Sequence, residues 1–130
     1  GKAKKTELPR ISELSQRTNR CNLSARRYTE SELADLYQKE DVEILSLSAS
    51  DRYGDMGLVG AAVLHINETS TTIESFFLSC RVFDRGFEQS LLEYIKQLAG
   101  KKLLIGIFRK TPQNSKYEEF YPKNEVKVLC

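Results

Sequence analysis

The sequence predicts an α+β domain built on a mixed sheet flanked by helices, and three observations carry that prediction. Helix signals and strand signals alternate in the order α α β β β α β α β. Two apolar runs on either side of Asp51–Gly57 pair as an antiparallel hairpin. A strand over 71–82, a helix over 87–99 and a strand over 103–108 form a crossover, which joins parallel neighbours and is right-handed. At 130 residues the chain is one domain, with residues 1–7 as a tag scar and basic linker and 8–130 as the folded unit. Gly1 without a preceding Met reads as a scar from tag removal, and the expectation is a fragment cut from a larger protein.

The elements follow in order. Pro9 opens a short helix through Arg17, since proline suits a first helical turn. The polar stretch Asn19–Arg27 is a connection. Thr29 with Glu32 has capping-box spacing, and Leu33, Leu36 and Tyr37 give the apolar stripe of a helix over about 30–39. Val42–Ser48 is strand-like, and Leu58–Ile66, rich in valine and alanine, is a buried strand. The turn between them has Gly54 and Gly57 to supply positive φ. Thr71–Val82 is a third, aromatic strand. Phe87, Leu91, Leu92, Ile95 and Leu98 recur at helical spacing up to Gly100, which suits a C′ position. In the short strand Leu103–Phe108, Gly106 marks a bulge or the close approach of another segment. Asn114–Tyr121 is a short helix stopped by Pro122, and Glu125–Leu129 alternates as a last strand.

Composition narrows the function. The 40% hydrophobic and 29% charged shares are those of a globular domain, and no apolar run reaches the length of a membrane helix. A net charge of +2 is too small to imply a nucleic-acid partner. Charge is instead concentrated at the start. Residues 1–27 hold Lys2, Lys4, Lys5, Arg10, Arg17, Arg20, Arg26 and Arg27 against Glu7 and Glu13. That is either a solvated basic tail or a surface for an acidic protein or phosphorylated ligand. Three cysteines without CxxC spacing exclude a disulfide framework and a zinc knuckle, and place the chain in a reducing compartment, the cytoplasm. The single histidine, His65, reads as an outward strand residue, and no metal site is expected.

Two stretches carry chemistry. Ser79–Gly86 leaves a strand and enters a helix, presenting backbone N–H groups, Arg81, Arg85 and a glycine at one point. Such a junction holds a phosphate, or else is a structural turn in which an arginine pairs with Asp84. Cys80 on the strand is either a nucleophile or a buried, inert thiol. Asp51–Gly60 is the other stretch. There Arg52 and Asp55 either face a substrate or partner or form an internal pair that fixes the hairpin turn.

With these motifs the element order resembles the GNAT acyltransferase superfamily. Arg81 and Gly86 match its pyrophosphate loop, with Asp84 in place of the first glycine. Asn114 and Tyr121 match its later helix, with Tyr117 where alanine is usual and Pro122–Val126 in place of Gly-Phe. The chain is more closely similar to the C-terminal domain of FkbH-like proteins. That likeness rests on ELSQRTNRCNLSARRYTESEL (13–33), DRYGDMGLVG (51–60) and LSCRVFDRG (78–86). In those proteins a haloacid-dehalogenase-type phosphatase half precedes a GNAT-like half.

The resemblance implies a GNAT-like fold with a splayed pair of strands, 71–82 and 103–108, framing a slot. It implies an acyltransferase-like domain that handles a phosphopantetheine thioester, on CoA or a carrier protein, in loading a glyceryl-type unit onto an acyl carrier protein. The alternative is a catalytically degenerate fold that only docks the carrier protein. The phosphatase half would be a second partner, although its Asp-x-Asp signature is absent from this chain. Tyr121 falls on the proton-donor position, a phenol suited to a leaving thiolate, or else packs in the core with Phe120. Ser79, Cys80, Arg81, Arg85, Gly86 and Asn114 would hold the phosphopantetheine. Arg26 and Arg27, with Asn19 and Asn22, would line the acceptor side.

Overall fold

The structure is a computed structural model that describes residues 1–51, 54–79, 82 and 86–129, with the side chains of 50, 51 and 54–56 outside the description. Among the described residues four α-helices and five strands run α1 (Leu8–Arg17), α2 (Glu30–Tyr37), β1 (Val42–Asp51), β2 (Gly54–Ile66), β3 (Ser70–Leu78), α3 (Phe87–Ala99), β4 (Leu103–Ile107), α4 (Phe120–Lys123) and β5 (Lys127–Leu129). Strand order is β1-β2-β3-β4-β5. The first three strands pair antiparallel, and β3–β4 and β4–β5 pair parallel. The mixed α+β sheet is therefore the one expected.

Each face of the sheet carries its own core. Val59, Ala62, Leu64, Ile73, Phe76 and Leu78 pack under Leu91, Leu92 and Ile95 of α3 and under Tyr121 of α4. Ile44, Leu58, Ala61, Val63 and Phe77 pack under Leu8 and Ile11 of α1, Leu33 of α2, and Tyr28. Phe76 and Phe77 are both fully buried because consecutive strand residues point to opposite faces. α2 starts on the expected capping box: Thr29 Oγ1 accepts from the Glu32 amide at 3.1 Å, and Glu32 Oε1 accepts from the Thr29 amide at 2.9 Å. Gly1–Ala3, read from the sequence as linker, lies along β1. The Ala3 amide donates to the Ile44 carbonyl at 2.8 Å, and the Ser46 amide to that of Gly1 at 2.9 Å.

Four local expectations are corrected. The stretch 51–57 is not one long turn, since β1 runs to Asp51 and β2 starts at Gly54, with Asp51 opposite Gly54. The glycines there serve irregular pairing rather than a loop: the register slips between Ala49 and Ser50, and Gly57 sits at φ +72°. β3 ends at Leu78, not Val82, whose amide turns back to the Ser79 carbonyl at 3.2 Å. The last helix is a 3₁₀ turn at Ser115–Tyr117 followed by α4, which runs through Pro122. Proline is tolerated there because a first-turn amide has no intrahelical acceptor to lose.

The fourth correction is the largest. Asn19–Arg27 is more than a polar connection. Cys21–Leu23 runs antiparallel to the end of β3, with Asn22 opposite Phe77. The Leu78 amide donates to the Cys21 carbonyl at 2.9 Å, and the Leu23 amide to the Phe76 carbonyl at 3.0 Å. Cys21 and Leu23 are buried in the α3 core. Leu23→Ala is therefore expected to lower stability by about 2–5 kcal/mol in urea denaturation, the range for deleting a buried leucine side chain. A loss well below 1 kcal/mol would mean that this segment is not part of the core.

Candidate functional site

β3 and β4 part company halfway along. Their parallel pairing covers Ser70–Ile73 against Leu103–Gly106 and goes no further on β3. The cause lies on the other edge of β3. Val63 faces Ser75 while Leu64 faces Ile73, so Glu74 is an extra residue in the ladder. A bulge of this kind bends its strand and ends pairing. The split expected between these strands is present, and it begins at Glu74.

Cys21–Leu23 fills that split. It pairs with β3 on one side, and on the other its Leu23 carbonyl accepts from the Arg109 amide, just past β4, at 2.8 Å. Asn114 locks the arrangement. Its Nδ2 donates to the Asn22 carbonyl at 2.9 Å and to the Arg109 carbonyl at 2.9 Å, and its Oδ1 accepts from the Thr111 amide at 2.8 Å. Fully buried and thus engaged, Asn114 is a structural clamp across the split in this conformation.

Tyr121 lies at the base of the split, under the α3 core. Its ring covers Gly106 so closely that a Cβ there would come within 2.5 Å of it. Of the two sequence readings of Gly106, close approach is the one realised. Phe76 meets the Tyr121 ring edge-on at 6.4 Å. The phenol is 1% exposed, and its hydroxyl has no hydrogen-bond partner among the described residues. Burial pushes its pKa well above the ordinary tyrosine range, and the neighbouring Cys21 adds in the same direction. Asn22 Oδ1 is another buried oxygen with no hydrogen-bond partner among the described residues.

The other expected residues are distributed as follows. Ser79 is buried at the end of β3, and its amide donates to the Val59 carbonyl at 2.6 Å. The amides of Leu78 and Ser79 are thus both engaged within the chain. Gly86 caps α3 at φ +86°, a conformation that favours glycine. Arg26 stacks on the Tyr28 ring at 4.5 Å and lies 3.8 Å from Glu32. Arg27 donates to the Gln16 carbonyl and to Asn19 Oδ1. Asp55 lies on β2 opposite Ser50. Arg52, Cys80, Arg81 and Arg85, with Asp84, lie outside the described residues. His65 points outward and pairs with Asp41 at 2.6 Å. Among the described residues no three metal-ligating side chains gather, and no helix is long and apolar enough to cross a membrane.

Sequence reasoning missed three participants: the Cys21–Leu23 insert, Glu74 and Arg109. The signals were slight. Cys21-Asn22-Leu23 alternates over only three residues, and Glu74 is a lone acid in an apolar strand.

Two outcomes follow from the Tyr121 environment. Removing the unpartnered hydroxyl with Tyr121→Phe should raise the unfolding midpoint, since an unsatisfied buried hydroxyl costs about 1–3 kcal/mol. A lower midpoint would show that the hydroxyl has a partner. Unfolded tyrosine loses its proton near pH 10 or so, whereas Tyr121 in the fold holds its proton to higher pH. Its contribution is therefore complete below that point and falls as pH rises beyond it. Denaturation above pH ~10 should show a shallower decline for Tyr121→Phe than for the parent.

No protein-family model matches the chain, and no curated protein sequence does. Solved structures do. An acetyltransferase from Trypanosoma brucei superposes with a TM-score of 0.64 at 17% identity, covering 100% of this chain and 92% of that one. The ribosomal-protein-S18-alanine N-acetyltransferase of Escherichia coli gives 0.56 at 17% identity, over 75% of this chain and 56% of that one. Rv2747 of Mycobacterium tuberculosis, solved with CoA, gives 0.58 at 16% identity, over 75% of this chain and 55% of that one. The alignment thus spans little more than half the length of the last two proteins. At these identities the likeness is one of fold: the chain has the fold of the GNAT acetyltransferases.

Proposed function

We propose that this chain is an acyl-transfer domain that takes a phosphopantetheine thioester, carried by CoA or by an acyl carrier protein, into the split between β3 and β4. The observation that carries the reading is the split itself, opened by the Glu74 bulge with a buried, unpartnered phenol at its base. The thioester would supply an activated acyl carbonyl. The β3 edge beyond Ile73 fits an extended amide-bearing arm, since Phe76 and Leu78 already make strand-like hydrogen bonds there. Those bonds now go to Cys21–Leu23, so the arm and this segment compete for one edge. Tyr121, whose environment keeps its proton to high pH, would hold that proton for the leaving sulfur. In FkbH-like terms the acyl unit would be glyceryl, the partner an acyl carrier protein, and the neighbour a phosphatase half. Arg81, Arg85 and Gly86 remain the proposed phosphate contacts, with Arg52 and Asp55 on the partner side. The basic surface of α1 suits an acidic carrier: Arg10 and Arg17 line a cavity of about 430 Å³ that reaches Ser79.

A second reading is favoured by one observation. Tyr121 is 1% exposed and the split is filled, as expected of a fold that docks a carrier protein without catalysing transfer. Kinetics separate the two. Under the acyl-transfer reading, Tyr121→Phe slows thioester loss from an acyl-loaded carrier protein by about 10²–10⁴-fold, the worth of a positioned acid. Equal rates for variant and parent, with carrier binding intact in calorimetry, would establish the docking role.

A further inference from the structure

A separate cleft of about 550 Å³ opens at the mouth of the same split, lined by Ser24, Ala25, Arg26, Glu74, Ile107 and Arg109. We infer that this cleft binds a small molecule carrying an acidic group at one end and an amine at the other. Arg26 and Arg109 would take the carboxylate or phosphate, and Glu74 the ammonium.

The wall is built and charged before any ligand arrives. Glu74 is the bulge residue of β3, so it is displaced from the ladder at the point where β4 turns away. Arg109 is fixed through its backbone on both sides, its amide to Leu23 and its carbonyl to Asn114 Nδ2. Neither Glu74 nor Arg109 has an ion pair among the described residues. Arg26 is held over the Tyr28 ring and 3.8 Å from Glu32, so of the two arginines Arg109 is the one without an ion pair among the described residues. Behind Arg26 runs a buried hydroxyl chain, Ser24 Oγ to Ser75 Oγ at 3.0 Å and Ser75 Oγ to the Tyr28 hydroxyl at 2.5 Å. Ala25 takes φ +57°, a left-handed conformation that alanine rarely adopts and that persists only where the surroundings enforce it. Ile107 supplies an apolar side for the carbons between the two charged ends.

Charge and size then select the ligand. Two guanidinium groups hold an acid through paired charge-assisted hydrogen bonds. A single carboxylate among them repels a second acid and attracts an amine. A purely anionic molecule leaves Glu74 unmatched, and a simple amine faces two arginines. The volume lies within the ~300–1,000 Å³ of small-molecule sites. The use made of the molecule rests on the acyl-transfer reading: its ammonium would first give one proton to water through the Glu74 carboxylate, and the neutral amine would then form the C–N bond as the C–S bond breaks, with the second displaced proton ending on sulfur. Binding itself does not rest on that reading.

The test is calorimetric titration without thioester, at fixed ionic strength, with β-alanine and O-phosphoethanolamine as probes and propionate and ethanolamine as controls. At least one two-ended probe is expected to bind tenfold or more tighter than both controls. The carboxylate and phosphate arms show which acid the arginines prefer. Arg109→Ala should remove that advantage, and Glu74→Gln should reduce the probe to the affinity of its acid end alone. Both residues line the cleft and neither has an ion pair among the described residues, so the variants should unfold at the parent's midpoint. Equal binding of probe and controls, no detectable binding of either probe, or unchanged affinity in both variants would overturn the inference. Thioester turnover, measured separately, tests the acyl-transfer reading.

Discussion

One extra residue in one strand sets the geometry of this molecule. Glu74 has no partner in the β2–β3 ladder, and the bend it imposes ends the β3–β4 pairing at Ile73 and Gly106. Beyond that point β3 presents amides and carbonyls at the centre of the sheet, where an unpaired polar group costs more than it would at a wet edge. Something must satisfy them. In this chain Cys21–Leu23 does, and the insertion places Leu23 in one core, brings Arg109 across to close the other side, and gives Asn114 its two carbonyl acceptors. The split, the clamp and the charged cleft all follow from that one bulge.

Packing sets the second constraint. Gly106 is the last residue of β4 paired with β3, and its missing side chain is what lets the Tyr121 ring lie against the sheet. The ring gains aromatic contact with Phe76 and Phe120, and its hydroxyl is buried with no hydrogen-bond partner among the described residues. A protein selected only for stability would place phenylalanine there. Under the proposed acyl-transfer reading, a buried phenol held at a cost to stability would be a group kept for its chemistry.

What was legible in the sequence was what is encoded locally. The capping box of α2, the stripe of α3, the alternation in β1 and the apolar run in β2 depend on residues a few positions apart, and these elements form where they were read, although the turn between β1 and β2 does not. The insert at 21–23 was not legible because its partners, Phe76 and Leu78, lie more than fifty residues away and its own alternation is too short to register. Gly57 was read as a turn residue because positive φ serves bulges and turns alike. Pro122 was read as a stop because its effect depends on its place in the turn, which sequence alone does not fix. At the site, Tyr121 was reached through resemblance to a motif, whereas its burial and its fit to Gly106 are tertiary facts. Glu74 and Arg109 join the cleft only once the register of β3 and the end of β4 are known.

The two faces of the split now have different characters, and the difference bears on how such a site would work. On the α3 face, Tyr121 and Cys21 lie in a dry, apolar pocket where a charge is strongly disfavoured. On the other face, Arg26, Glu74 and Arg109 line an open, charged cleft. Cys21–Leu23, hydrogen-bonded to β3 on one side and to Arg109 on the other, runs between the two. Its hold on the sheet rests on a few backbone hydrogen bonds and the Asn114 clamp, each worth about 1 kcal/mol net. The burial of Cys21 and Leu23 opposes any release more strongly than those bonds do. An extended arm that offered the same backbone partners and a comparable apolar surface would exchange with the segment at small net cost. That exchange would join the dry face to the charged one, and a thioester carbonyl would then stand between a buried proton and a bound amine.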